Sequence, residues 1–331
     1  MGGVSPEVSV VVPAYNEQGV LGRLEEAIRQ ALDGISYEIV FVNDGSADET
    51  PARLDELARG DERIKVVHFS RNFGHQAALL AGLRHSSGQS AIVMDADMQD
   101  DPGALPQMVQ KWREGFEVVY AVRVGRKENV LKRALFFVFY RFLNAIIQIP
   151  MPEDAGNFGL IDRRVADLVA YAHERDRYFA GLRGWVGFRQ VGITVERGPR
   201  YDGEPRVSML GLLRLAKSAI FSFSTVPLTI FYAIATAALA VLVGLGGWTL
   251  YHKFFTGLAI PGWTSQLMTA CFFGALNCLG IGILGEYVIR IYDQVRARPQ
   301  FIVDQTRNLE RLDRVIQTDM PPPPEAVRSG D

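Results

Sequence analysis

Disulfides are the first thing this sequence lacks the means to build. Its 331 residues include two cysteines, Cys271 and Cys278, both inside an uncharged stretch. If that stretch is one helix, the pair is separated by about 10 Å of rise, beyond the reach of a disulfide. Zinc-type metal centres are missing too, because the five histidines have no metal-type spacing with each other or with the cysteines. Charge of one sign is also absent. With 35 Lys+Arg against 37 Asp+Glu, the net charge of −2 excludes the basic excess of a protein devoted to nucleic acid, and no nucleic-acid partner is expected. The opening MGGVSPEVSV has neither the basic nor the apolar region of a signal peptide, so the first domain is expected in the cytosol. What the chain has in quantity is apolar surface. Hydrophobic residues make up 48% and charged ones 22%, which excludes global disorder. The length suits two units at about 150 residues each.

The first 125 residues alternate between two periodicities. Val8 to Val12, Tyr37 to Val42, Ile64 to Phe69, Ala91 to Met94 and Glu117 to Val122 read as strands, largely continuous and apolar. Between the first two, Val20, Leu21, Leu24, Ala27, Ile28, Ala31 and Leu32 trace one helical face. Ser46 and Glu49 have capping-box spacing and predict a helix carrying Leu54 and Leu57. A further helix is expected from about His75 to His85, and Asp101 with Pro102 reads as a cap and first helical residue. Strands alternating with helices imply an α/β domain with a mostly parallel sheet covered on both faces.

Polar residues collect just after the strands. Pro13-Ala14-Tyr15-Asn16-Glu17, Asn43-Asp44-Gly45-Ser46, Ser70-Arg71-Asn72, Asp95-Ala96-Asp97 and Arg123 all occupy such places. Ligands of open parallel sheets bind outside the carboxyl ends of the strands, so five clusters converge on one crevice. Asp95 and Asp97 offer hard oxygen ligands to Mg²⁺ or Mn²⁺. On an extended segment they would point opposite ways, one to the metal and one to ligand hydroxyls or metal-bound water. Asp44 could accept hydrogen bonds from a nucleobase, although Asn-Asp-Gly-Ser is equally a turn sequence.

Four of these motifs, taken in order, resemble family 2 glycosyltransferases with the GT-A fold. They are Val11 to Glu17, Val42 to Asp48, Arg71 to Ala78 and Asp95 to Asp100. The similarity runs from about residue 7 to residue 303 and is narrower toward the polyprenyl-phosphate glycosyltransferases. These include the bactoprenol glucosyltransferases and the dolichol-phosphate mannose synthases. The resemblance implies a GT-A, Rossmann-like domain over residues 1–210 and a nucleotide sugar donor held by Pro13, Tyr15, Asn16, Glu17, Asp44, Ser46, Asn72, Gln76, Asp95, Arg123 and Arg126. It also implies Asp97 and Asp95 as holders of Mg²⁺ or Mn²⁺ and of the diphosphate, with UDP-glucose first among the donors and GDP-mannose the alternative. A homo-oligomer, a tetramer by the same resemblance, is expected. Where the family commonly has Lys, this chain has His75, which as an ordinary histidine would be mostly neutral at pH 7.

The second half reads as a two-helix transmembrane anchor. Residues 226–251 and 266–285 carry no charge, and as helices they measure about 39 Å and 30 Å. The expected hairpin is 226–292, with spans at 226–251 and 266–288, preceded by a juxtamembrane helix at 211–225. Arg214 and Lys217 precede the first span and Arg290, Arg296 and Arg298 follow the second, against His252 and Lys253 in the loop. The positive-inside rule then leaves both ends cytoplasmic, with a multi-pass protein in a bacterial inner membrane. Gly280 to Gly285 matches GxGxxG but has no strand before it, so it is rejected as a dinucleotide site. Residues 123–150 begin with six basic residues against Glu128 and turn aromatic from Phe136. Such a segment either lies on anionic headgroups or packs on the sheet. Arg200 and Arg206 suit a lipid phosphate or the donor diphosphate. Residues 293–331 are expected to be a mostly disordered cytoplasmic tail.

For the chemistry, relatives carry a Gly-Asp-Phe sequence where this chain has Gly156-Asn157-Phe158. Asn157 cannot act as a base, so either Asp154 takes that role or the acceptor phosphate, already anionic near neutral pH, needs none. A processive polysaccharide synthase fits less well, since Leu182-Arg183-Gly184-Trp185 replaces the Gln-x-x-Arg-Trp of those enzymes. A catalytically silent scaffold is opposed by the intact Asp95/Asp97 pair. A pore is opposed by spans with almost no polar lining.

Overall fold

Mostly apolar runs become the centre of the sheet. The structure, a computed structural model, describes residues 5–124, 155–172, 179–196, 226–251, 254–255, 262–296 and 298–309. The chain divides into an α/β unit, which also takes in residues 298–309, and a unit carrying two long helices. Strands β1 (Val8–Ala14) and β2 (Tyr37–Asn43) are buried along their whole length and pair in parallel. Around them the order is β7-β5-β6-β4-β1-β2-β3-β8, with β3 at Ile64–Phe69, β4 at Ser90–Val93, β5 at Val118–Val124, β6 at Ala155–Asp162, β7 at Gln190–Glu196 and β8 at Val303–Arg307. The β1/β2, β1/β4, β2/β3 and β5/β7 pairs are parallel, while β4/β6, β5/β6 and β3/β8 are antiparallel. The sheet is therefore mixed and mostly parallel.

Alternation along β1 sends its residues to two different layers. Val10 and Val12 pack with Leu24 and Ile28 of α1 (Leu21–Ala31), Leu54 of α2 (Thr50–Gly60) and Met108 of α4 (Leu105–Arg113). Val11 faces the other way, toward Leu79 and Leu83 of α3 (His75–His85), Val165 and Val169 of α5 (Arg163–Ala170) and Leu182 of α6 (Phe179–Trp185). Burial of this many Val, Leu and Ile side chains, at about 1.5–3 kcal/mol each, is what holds the three layers together.

Two expectations need correction. Helix α2 begins at Thr50, not directly after Ser46, because the capping groups are engaged elsewhere. Ser46 Oγ accepts the Asn16 N–H at 3.0 Å, the Glu49 N–H goes to Gln18 Oε1 at 2.8 Å, and Asp48 Oδ1 takes the Thr50 N–H at 3.0 Å. The segment after residue 293 is likewise more ordered than its charge suggested. The helix that begins at Trp263 continues to Arg296, and residues 303–307 form β8 on the open edge of β3. Phe301 is buried and stacks on Phe69 with ring centroids 5.1 Å apart. An edge strand exposes unpaired backbone groups, and β8 satisfies those of β3. Residues 310–331 lie outside the described residues. Asp101 behaves as expected, its Oδ1 accepting the Gly103 N–H at 2.8 Å at the start of a 3-10 turn over Pro102–Ala104.

In the other unit, α7 spans Val226–Tyr251 and α8 spans Trp263–Arg296. Among the described residues, one stretch, Met268–Arg296, is long and apolar enough to cross a membrane by length and composition. Tyr232, Leu239, Val243 and Trp248 of α7 and Phe272, Ile281, Leu284 and Ile291 of α8 are exposed. The hydroxyls of Thr236 and Thr269 donate to carbonyls one turn back, at 2.8 Å each, so neither presents an unsatisfied donor. Gly280 lies mid-helix, where an added Cβ would fall 2.2 Å from the Phe231 ring. That glycine serves close helix packing, consistent with rejecting GxGxxG as a nucleotide motif. The 211–225 segment and most of 123–150 lie outside the described residues.

Candidate active site

The loops after β1 and β2 are sewn to each other by short polar side chains. Asn16, at a φ of 55°, gives its N–H to Ser46 Oγ and accepts the Ala47 N–H at 2.9 Å. Glu17 donates its N–H to Thr50 Oγ1 at 2.9 Å, and the Asp44 N–H reaches Ala14 O at 3.0 Å. Gly45 has a φ of 65°, and a Cβ there would sit 2.3 Å from the Arg71 carbonyl carbon. Only glycine fits that position, which brings the loop after β3 against the loop after β2.

Asp44 closes the join. Its Oδ1 accepts the Phe73 N–H at 2.7 Å and its Oδ2 the Gly74 N–H at 3.0 Å. Burial pushes its carboxyl above the ordinary aspartate range, only partly offset by those two amides and by His75. Asp95 and Asp97 stand beyond the end of β4, in a turn whose Met98 has a φ of 59°. There the two-residue alternation of a strand no longer applies, and both residues line the same cavity. Asp97 Oδ1 accepts the Gln99 N–H at 3.1 Å, and the Asp95 N–H donates to Asp100 Oδ2 at 3.2 Å.

His75 opens α3 and reaches Asp95, with Nε2 2.8 Å from Oδ1. Burial works to lower its basicity, but the bond and charge of Asp95 and the charges of Asp44 and Asp97 outweigh it, and its pKa is raised.

The cavity holds about 470 Å³ and is lined by Pro13, Tyr15, Glu17, Asp44, Asn72, Asp95 and Asp97 from the expected set. It is also lined by Ala14, Gly74, His75, Ala78 and Ala96. Asn16 and Ser46 support the wall through their mutual bond. Gln76 turns to a structural task, its Oε1 accepting the Phe179 N–H at 2.9 Å. The Arg123 backbone belongs to β5 and Asn157 is half-buried on β6. Arg126, Asp154, Arg200 and Arg206 lie outside the described residues. His75 is the lining residue that the motif alone understated. Its place directly after Arg71-Asn72-Phe73-Gly74, at the first turn of a helix, was the available signal.

Among the described residues no three His, Cys, Asp or Glu side chains converge as a metal cage. Mg²⁺ and Mn²⁺ do not need one, since they commonly use one or two carboxylates plus phosphate and water oxygens. Asp95 and Asp97, both lining one cavity, fit that donor set.

Residues 9–169 match the family described as Glycosyl transferase family 2. The chain is 38% identical over 311 residues to the "Uncharacterized glycosyltransferase YkcC" of Bacillus subtilis (strain 168), covering 92% of this chain and 95% of that protein. It is 34% identical over 304 residues to the "Prophage bactoprenol glucosyl transferase homolog" of Escherichia coli (strain K12), covering 91% and 99%. With the "Bactoprenol glucosyl transferase" of Shigella phage SfV it shares 34% identity over 300 residues, covering 90% and 98%.

Proposed function

The chain belongs to glycosyl transferase family 2 and is a glycosyltransferase, and from that premise we propose that it moves a sugar from a nucleotide diphosphate donor to a polyprenyl phosphate. UDP-glucose is the first-choice donor and undecaprenyl phosphate the acceptor. One observation carries this reading: Asp44, Asp95 and Asp97, from two different strand ends, line one cavity beside His75. Relatives named as bactoprenol glucosyl transferases over nine-tenths of the chain support the lipid acceptor.

In this reading the laced loops after β1 and β2 hold the nucleoside, with Asp44 accepting from the base. A divalent cation on Asp95 and Asp97 would supply charge neutralisation for the departing diphosphate. His75 orients the Asp95 carboxylate through its Nε2. An acceptor phosphate oxygen forms the new bond to the anomeric carbon as the bond to the nucleoside diphosphate breaks on the opposite face, so configuration inverts. No base is required, because the acceptor is already an anion near neutral pH, and Asn157 contributes hydrogen bonding without charge. Helices α7 and α8 cross a bacterial inner membrane as a hairpin, with the α/β unit on the cytoplasmic face beside the lipid phosphate.

The test uses the full chain in detergent with undecaprenyl phosphate, Mg²⁺ or Mn²⁺, and radiolabelled UDP-glucose, UDP-N-acetylhexosamines and GDP-mannose in turn. Label passing into the organic phase with UDP-glucose is expected. Transfer from GDP-mannose instead would reassign the sugar, and no transfer from any donor by folded protein would leave the silent scaffold standing.

A further inference from the structure

Behind the donor loop runs a line of polar side chains that the chemistry above does not use. It starts on the C-terminal strand. Arg307 Nη2 donates to Asp55 Oδ2 of α2 at 3.0 Å, and Asp55 Oδ1 lies 3.1 Å from Nε2 of His68 on β3. On the other side of that ring, His68 Nδ1 lies 3.0 Å from Asn43 Nδ2. Asn43 Oδ1 in turn accepts the Ser46 N–H at 3.0 Å, and Ser46 Oγ holds the Asn16 N–H. Asn43 and His68 are buried, 3% and 7% exposed, and face each other in the β2/β3 register.

The bonding directions follow from Asn43. Its carbonyl oxygen is engaged by Ser46, so its amide group must donate to the ring, making His68 Nδ1 an acceptor. The ring proton therefore sits on Nε2 and donates to Asp55. Asp55 is stabilised as a carboxylate, its own burial outweighed by Arg307 and His68. Strand β8 is fixed in turn by Asn308, whose amide donates to Ala58 O and Ile64 O.

We propose that His68 is a positioning residue for the donor loop, and that β8 acts on nucleotide affinity through Arg307, Asp55 and His68. The inference rests on the donor reading given above. A loop residue held from behind by a buried, directional bond loses fewer conformations on binding than a loose one, and so binds more tightly.

The two nitrogens of His68 can be tested apart. In His68→Asn the side-chain oxygen can take the Nδ1 role toward Asn43, whereas His68→Gln reaches Asp55 but offers Asn43 no acceptor. The measurement is UDP affinity with Mg²⁺, by calorimetry on the full chain in detergent, with the thermal midpoint of each variant recorded alongside. His68→Gln is expected to weaken UDP binding by about tenfold, and His68→Asn by no more than about threefold. Arg307→Ala should weaken it about threefold, with Arg307→Lys restoring most of the loss. A purely structural role would lower the midpoints and leave the affinities of folded protein alone. Equal affinities for the parent and His68→Gln, or equal losses in both His68 variants, would overturn the inference while leaving the donor reading intact. If His68→Gln does not fold, unchanged UDP affinity in Arg307→Ala overturns it. A parent that binds neither UDP nor GDP overturns the donor reading, and this inference with it.

Discussion

Strand β2 has a buried carboxylate near each end, Glu38 and Asp44, each 3% exposed. Glu38 is surrounded by donors: Ser9 Oγ at 2.7 Å, the Ser87 N–H at 2.5 Å, Ser87 Oγ at 2.8 Å, and the Lys65 ammonium. Its burial opposes ionisation, but Lys65 and the serines outweigh that, and its pKa falls below the ordinary value. Asp44 has two backbone amides and opens onto a cavity shared with Asp95 and Asp97, and its pKa is raised. One carboxylate is satisfied by the fold alone. The other is held in an environment that hydrogen-bond donors from outside would improve. In the proposed reading the base of a donor nucleotide brings such donors, which would make the second end of the strand the functional one.

The comparison breaks most visibly in activity. Asp95→Asn and Asp97→Asn are each expected to lower sugar transfer by about 10²-fold or more, the scale of removing electrostatic stabilisation from a transition state. EDTA should do the same to the parent, with Mg²⁺ or Mn²⁺ restoring it. Radiolabel transfer checks both, and full transfer by metal-free protein would remove the cation from the mechanism. Glu38→Gln, by contrast, should leave the rate of folded protein within about threefold.

The strands and helices that enclose this site were legible because burial leaves a plain record. Val8 to Val12 and Ile64 to Phe69 are mostly apolar runs of strand length, and the α1 positions repeat at helical spacing. The crevice was legible for a topological reason, since polar clusters after parallel strands have one place to go. Three features were not. Ser46 and Glu49 satisfy a capping pattern, yet tertiary partners Asn16 and Gln18 claim them. Strand β8 is polar, Val-Asp-Gln-Thr-Arg, because it is an edge strand with one side in water, so its sequence resembles a tail. His68 sits among apolar neighbours in a mostly apolar strand, and only the register across β2 and β3 shows that it meets Asn43.

In stability the order of the two carboxylates reverses. Glu38→Ala strands Lys65 and leaves Ser9 and Ser87 without their shared acceptor, at a cost of about 3 kcal/mol. Denaturant unfolding of the full chain in detergent checks this, and a loss under about 1 kcal/mol would mean the cluster relaxes around the gap. Asp44→Asn keeps an acceptor for one of the two amides and removes a disfavoured charge, so its stability should stay within about 1 kcal/mol of the parent. Its nucleotide affinity should nevertheless fall about tenfold, because the charged acceptor for the base is gone.

The smallest effect is the most discriminating, because the two ends of β2 should respond to pH with opposite signs. Glu38 has a lowered pKa in the folded protein against 4.5 for the free side chain. Its contribution is therefore complete above 4.5 and is lost as the pH falls through the folded value. Asp44 has a raised pKa against 3.8. Its contribution is complete below 3.8, and stability is given up as the pH rises through the folded value. Unfolding measured from pH 7 down to about pH 4 should then show the deficit of Glu38→Gln shrinking once the pH passes below about 4.5. The benefit of Asp44→Asn should be present at pH 7 and fade over the same acid limb, as the parent's own Asp44 becomes protonated. Parallel curves for the two variants would mean that Asp44 is as well satisfied as Glu38 before any ligand arrives. The cavity end of the strand would then hold no electrostatic advantage for a nucleotide.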